Sequence, residues 1–180
     1  GTYSTTKTFS TIGLVYCPVT SSDSGDEHIS KVVLTAAGGG SMTSNSGASN
    51  YTDYSTDETR IATLVKGSTG NKIDVTKAWS STKYNEGVAV WIDFNRNGTY
   101  EANEKVLSTP ANQINPATAT FNVPADAYIG DKAVGMRVIL SYNQTPSNSC
   151  TSFSYGEVED YAVRITAELG VNDINKSAAT

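Results

Sequence analysis

Oxygen-bearing side chains recur at close intervals in "DFNRNGTYEANE", residues 93–104. Asp93, Asn95 and Asn97 take positions 1, 3 and 5 of a twelve-residue calcium loop, Gly98 takes position 6 and Glu104 position 12. Thr99 would add its backbone carbonyl at position 7, and Glu101 a contact through water at position 9. Hard oxygen ligands at this spacing suit Ca²⁺ and suit zinc poorly. The residues before the loop, "VAVWI" (88–92), read as a strand, so the expected site is strand–loop–strand and not a helical pair. The plainer reading is a polar turn in which Asn97-Gly98 joins two strands. Asn97-Gly98-Thr99 also has the pattern of a glycosylation sequon.

Other residues invite chemistry less strongly. Along a strand, alternate residues share a face. In "SYGEVEDYAVRI" (154–165) this puts Glu157, Glu159, Tyr161, Val163 and Ile165 on one side, with the last three facing a core. Glu157 and Glu159 are candidate cation-linked carboxylates, because a buried carboxylate needs a cation or donors. The plainer expectation is that they emerge at the rim of the sheet. Paired carboxylates can also work on a sugar as acid and base, but nothing in the sequence marks a cleft for that. Cys17 and Cys150 most simply form one disulfide. It would close a loop of about 130 residues, worth at most ~4–5 kcal/mol by chain entropy. His28 is the lone histidine. It is read as a surface residue, since catalytic zinc wants several histidines and a nucleophilic triad wants its base in a cleft. Tyr51, Tyr54, Tyr84 and Tyr142 lie in turn-like or polar sequence and are candidate ligand-binding rings, although loop tyrosines also occur without a ligand.

A scaffold must hold these groups. Charged residues make up 17% of the 180 residues, Ser, Thr, Asn and Gly are abundant, and ten tyrosines accompany four phenylalanines, as in extracellular β-rich proteins. A net charge of −5 disfavours nucleic acid and anionic membrane surfaces as partners. No run of about eighteen apolar residues predicts a membrane span. The start at Gly1, without Met, suggests a processed or excised piece. Strands are expected at 28–36, 60–67, 71–79, 87–95, 104–109, 117–125, 132–142 and 157–165. Residues 21–27 and 51–58 read as loop and turn, and 37–49 as a loop or irregular edge strand. About eight or nine short strands and no convincing helix predict an all-β fold, an antiparallel β-sandwich of Ig-like or jelly-roll-like type, with a closed barrel as the rival. Residues 1–15 read as a linker or edge strand, 16–166 as the sandwich and 167–180 as a linker.

Gly156-Glu157-Val158-Glu159-Asp160 spells the name of the GEVED domain. "YCPV" (16–19), "YNEGVAVWIDFNRNG" (84–98), "FNVPADA" (121–127) and "GMRV" (135–138) agree with it in order, so residues 16–165 resemble that family. The resemblance implies a β-sandwich in a secreted or cell-surface protein of Bacteroidetes, usually as a C-terminal accessory module of proteases, glycosidases or adhesins. The tail "ELGVNDINKS" (168–177) resembles the lead-in to a type IX secretion sorting domain, without its "YPNP"-type motif. Two departures bear on the loop. Family loops often carry Asp where Asn97 stands, and some have one more residue before the closing glutamate.

Together these features predict a non-catalytic, calcium-stabilised module of a larger secreted bacterial protein. It would bind an extracellular polymer, polysaccharide more than protein, near the catalytic domain of its parent chain. The alternative is a module that docks or spaces that catalytic domain and binds no external ligand.

Overall fold

The computed structural model describes residues 13–167. The segment expected as an N-terminal linker or edge strand lies largely outside them, at 1–12, and the expected C-terminal linker lies outside from 168 onward. Eleven strands follow one another among the described residues. They are β1 (Ser21–Asp23), β2 (Glu27–Thr35), β3 (Met42–Asn45), β4 (Tyr51–Asp53), β5 (Ala62–Val65) and β6 (Asn71–Trp79). The second half holds β7 (Glu86–Ile92), β8 (Lys105–Asn112), β9 (Ala117–Phe121), β10 (Val134–Tyr142) and β11 (Phe153–Thr166).

The strands form two packed sheets. One has the order β3-β2-β6-β9, with antiparallel neighbours throughout. In β6, "NKIDVTKAW", every second residue from Asn71 to Lys77 is buried, the period of a strand with one solvated face. The other sheet has seven strands, with β1-β11-β10-β7-β8 along its path and β4 and β5 also on β11. Here β7 and β10 read almost continuously apolar, because this sheet is covered on both faces.

Between the sheets, Val88, Val90, Ile92, Met136, Val138, Leu140, Tyr161, Val163 and Ile165 pack with Ile29, Val32, Leu34, Ile73 and Val75. On the outer face, Ala89, Trp91, Ile139 and Val158 pack with Val19 and Tyr100. Part of that cover is a strap, residues 13–20, without regular secondary structure. A disulfide from Cys17 to Cys150, with Cα atoms 5.5 Å apart, staples the strap to the loop before β11 across 133 residues. Arg137 is buried beneath it. Its guanidinium pairs with Asp160 at 2.7 Å and donates to the carbonyls of Cys17 and Ser149 at 2.9 Å. The buried charge is thus both paired and hydrogen-bonded.

The sandwich is as expected, and three details differ. There are eleven strands among the described residues, because β1, β3 and β4 are only 3 to 4 residues long. So short a stretch shows no alternation, and pairing alone makes it a strand. The large sheet is mixed, since β1, β4 and β5 run parallel to β11. β11 is 14 residues long, so it offers one edge to all three in succession while β10 holds its other edge. Lastly, Glu157 and Glu159 do not emerge at the rim. Both are fully buried and face the four-stranded sheet.

Candidate functional site

The 93–104 loop follows β7 and closes on itself through hydrogen bonds. Asp93 is fully buried. Its Oδ1 accepts from the Asn97 N–H at 3.1 Å, and its Oδ2 from the Gly98 N–H at 2.9 Å and the Tyr16 hydroxyl at 2.8 Å. Gly98 has φ +83°, the left-handed turn that glycine makes without strain. The Oδ1 atoms of Asn95 and Asn97 accept from the N–H groups of Asn97 and Thr99, at 2.9 and 2.8 Å. Their amide groups donate to Glu101, at 2.9 and 3.3 Å. Glu104 ends a short 3-10 turn (Ala102–Glu104), and its two oxygens accept from the N–H groups of Asn95 and Glu101. Burial, and then the nearby Asp93 and Glu101, push the Glu104 carboxyl up, while those two N–H groups hold it down.

For calcium, the donor chemistry fits. Asp93, Asn95, Asn97, Glu101 and Glu104 are all hard oxygen side chains gathered on one turn. The cage is not assembled, since among the described residues no three His, Cys, Asp or Glu side chains converge as a metal site. Glu101 accepts from the side-chain amides of Asn95 and Asn97 and shares a reciprocal capping box with Glu104.

Tyr16 ties this loop to the strap. Its hydroxyl donates to Asp93 and accepts from the Gly135 N–H at 2.8 Å, while its ring stacks on Tyr100 at 4.6 Å. Burial and the Asp93 carboxylate both raise the Tyr16 pKa, so the phenol keeps its proton.

The structure separates the four candidate tyrosines. Tyr51, on β4, donates its hydroxyl to Asp160 at 3.0 Å and belongs to the Arg137 network. Tyr54 is half-buried against Tyr161, with the Arg60 guanidinium 4.1 Å above its ring. Tyr84 and Tyr142 do come together, with ring centroids 5.5 Å apart and planes at 87°. A third ring joins them, which sequence reasoning missed. Tyr155 lies 6.0 Å from Tyr142 at 88° and is 52% exposed. The available signal was an aromatic residue at the polar start of a strand.

Register explains the cluster. Tyr155 stands opposite Asp23 of β1, and Tyr142 opposite Glu86 of β7. Ser141 pairs with Gly156, one step before Tyr142 would meet Tyr155. Gly156 has φ +122°, and a Cβ there would lie 2.1 Å from the Leu140 carbonyl oxygen, so only glycine lets the two strands close at this point. The three rings, with Asp26 and Glu27, line a surface cleft of about 270 Å³. A larger groove of about 730 Å³ lies along the strap and includes Tyr51, Arg137 and Asp160.

The carboxylates behind the cleft have few donors. Glu27, only 2% exposed, is pushed up to about 7 by burial and then by Glu86, Asp26 and Asp23. Glu86 is fully buried. Its Oε2 accepts from the Trp79 indole at 2.8 Å, and its Oε1 has no partner among the described residues. Burial raises its pKa as well. Lys77, the buried cation nearby, donates instead to the carbonyls of Glu86 and Asn112 at 2.7 and 2.8 Å.

Glu157 and Glu159 find donors instead of a rim. Glu157 Oε2 accepts from the Ile29 N–H at 2.7 Å, beside a bulge in the β2–β6 pairing, and Glu159 Oε2 from the Tyr161 hydroxyl at 2.7 Å. Each Oε1 lacks a partner among the described residues. Burial, above all, lifts Glu157 to about 8, so near neutral pH a proton can offset its burial without a cation. His28 is half-buried, with its pKa lowered by burial and its Nδ1 unpartnered among the described residues.

Residues 87–164 match the family model of the GEVED domain. That domain is a small all-β accessory-type module. The matched segment contains β7, the candidate calcium loop, β10 and most of β11. It therefore covers the centre of the large sheet and one wall of the tyrosine cleft, while the strap and the four-stranded sheet's β2, β3 and β6 lie outside it. No curated protein and no solved structure matches the chain.

Proposed function

We propose that this chain is a non-catalytic accessory module of a larger secreted or cell-surface bacterial protein, and that it binds an extracellular carbohydrate through the Tyr84–Tyr142–Tyr155 cleft. The observation that carries this reading is the cleft itself, three tyrosine rings at a sheet end with carboxylates beside them. Tyrosine offers broad contact area to a sugar face and a hydroxyl for its edge. The disulfide suits an oxidising compartment outside the cell. Export by the type IX route belongs to the same reading, on the strength of the tail "ELGVNDINKS".

Within this module the 93–104 loop binds Ca²⁺ as a structural clasp. Asp93, Asn95, Asn97, Glu101 and Glu104 are the side chains that would hold it, with the Thr99 carbonyl. The ion would supply positive charge to an acidic turn whose oxygens are now shared among backbone donors. Two amides in place of carboxylates favour weak affinity, on the order of 10⁻⁵–10⁻³ M, sufficient outside cells.

Affinity electrophoresis against marine, plant and host polysaccharides tests the main reading, with wild type compared to Tyr155→Ala. Retardation by at least one polymer, lost in the variant, is expected. No retardation by any of them, with tight binding to the parent chain's catalytic domain, would establish the docking role instead. The groove along the strap favours that second reading, since Val15 at its edge is 94% exposed and apolar.

A further inference from the structure

We infer that the tyrosine cleft is a subsite for the ammonium group of an amino sugar, so that its polymer is a glucosamine-type cationic glycan and not a neutral or an anionic one. This rests on the carbohydrate reading above and narrows it.

The aromatic walls come first. Tyr142 meets Tyr84 at 87° and Tyr155 at 88°, with centroids 5.5 and 6.0 Å apart. Packed edge to face, the three rings line one small space. Each face carries negative potential and attracts a cation within about 6 Å of its centroid. The space, about 270 Å³, is just below the ~300–1,000 Å³ of sites for drug-sized ligands and suits one sugar ring.

The acids come second, and they are independent of the rings. Glu27 lines the cleft although it is only 2% exposed. Among the described residues its carboxyl has no hydrogen-bond donor and no cation, and it faces Glu86, Asp26 and Asp23. Asp26 lines the same cleft at the surface. Two lysines from β6 and the turn before β7 are committed elsewhere. Lys77 donates to Glu86 and Asn112 carbonyls, and Lys83 lies 5.5 Å over the Trp79 ring. The Glu27 carboxyl reaches the cleft without a protein donor, and an incoming ammonium would supply charge and donors at once.

Charge then decides the class of sugar. A uronate or sulfated unit would place like charge against Asp26 and Glu27. An N-acetylated unit would stack on the rings and leave the carboxylates unpaired. A free 2-amino sugar satisfies both parts of the site.

The test titrates the intact protein with three matched oligosaccharides in low-salt buffer. These are a glucosamine hexamer, its fully N-acetylated counterpart and a galacturonate hexamer. The glucosamine hexamer should bind at least tenfold tighter than either of the others and weaken as salt rises. Tyr155→Ala should weaken it tenfold or more, and Asp26→Asn several-fold. Both positions are exposed, so both variants should keep the wild-type melting temperature. Equal or tighter binding of the N-acetylated or galacturonate hexamer, lost in Tyr155→Ala, overturns the amino-sugar class and leaves the carbohydrate reading standing. Binding of the glucosamine hexamer that both variants retain overturns the placement in this cleft. A lysine-rich peptide that displaces the hexamer at lower concentration makes the ligand a protein ammonium and overturns the proposal. Binding of none of the three, with no retardation in the polysaccharide panel, ends both readings.

Discussion

Glu104 and Glu27 are each 2% exposed, and their surroundings treat them in opposite ways. Glu104 receives two backbone N–H groups, and its neighbour Asp93 receives two more and a tyrosine hydroxyl. Glu27 receives no donor among the described residues and has three other acids for company. The loop is therefore a folded object whose charges are already spoken for. The cleft holds charge in reserve. The difference teaches that a recognisable motif need not be where a ligand is most wanted. Loop carboxylates can serve the backbone first, while a site with unmet demand arises from strands distant in sequence.

The largest effect should come from cutting the strap away from the loop. Replacing both Cys17 and Cys150 by Ser should lower stability by up to about 4–5 kcal/mol, the chain-entropy value for so long a closure. Urea denaturation measures it, and intact mass before and after reduction confirms the bond in the wild type. A loss under about 1 kcal/mol would mean that the strap is held by packing alone. Next, Asp93→Ala strands the part-buried donors of Tyr16 and Gly98 and leaves the Asn97 N–H to Asn95 alone, at a cost of about 2–4 kcal/mol. Equal stability of this variant and the wild type would strip the loop of its structural role. Both changes should act on folding and leave the cleft's ligand affinity intact in whatever fraction folds.

A smaller effect tests calcium. With affinity of about 10⁻⁵–10⁻³ M, about 1 mM Ca²⁺ should stabilise the protein by about 0.4–2.7 kcal/mol, read as a rise in melting temperature over EDTA. Asn97→Ala should shrink that rise while folding normally without calcium. Superimposed melts in EDTA and calcium would sink the calcium assignment and leave the loop as a hydrogen-bonded turn.

The cleft answers to pH. Glu27 is near 7 in the folded protein and near the ordinary glutamate value when unfolded. Between those values the folded state holds a proton that the unfolded state has lost, so stability falls as pH rises through this window. Below it both states are protonated and nothing is lost. Glu27→Gln should therefore match wild type at pH 4 and be more stable at pH 8, by on the order of 1–3 kcal/mol. Glu157, pushed up to about 8, adds a slope of the same sign that persists in this variant. Comparison of urea midpoints at the two pH values is the measurement, and a variant no more stable at pH 8 would show that Glu27 bears no such strain. Smallest in stability is Tyr155→Ala, within about ±0.5 kcal/mol at so exposed a position. Its effect should appear in polymer binding alone. A marked drop in melting temperature would recast the ring as a packing residue.

Much of the fold was legible because its causes are local. Alternation marked β6 and the face shared by Tyr161, Val163 and Ile165, and near-continuous apolar runs marked β7 and β10. The order of oxygens in 93–104 also belongs to the chain itself, and so does the turn at Gly98, since spacing and glycine's freedom need no distant partner. With two cysteines, a single intramolecular pairing was open. Tertiary structure alone decided the rest. Tyr51 went to the Arg137 network and Tyr54 to the core's edge, while Tyr155 joined Tyr84 and Tyr142. Nothing in the sequence around Glu27 marks it as a buried acid without donors. Its state depends on β2 entering one sheet beside Trp79 while Glu86 and Asp23 arrive from strands of the other. Burial and Coulomb repulsion act through space, and the register of paired strands, which no short stretch encodes, sets which charges and rings share that space.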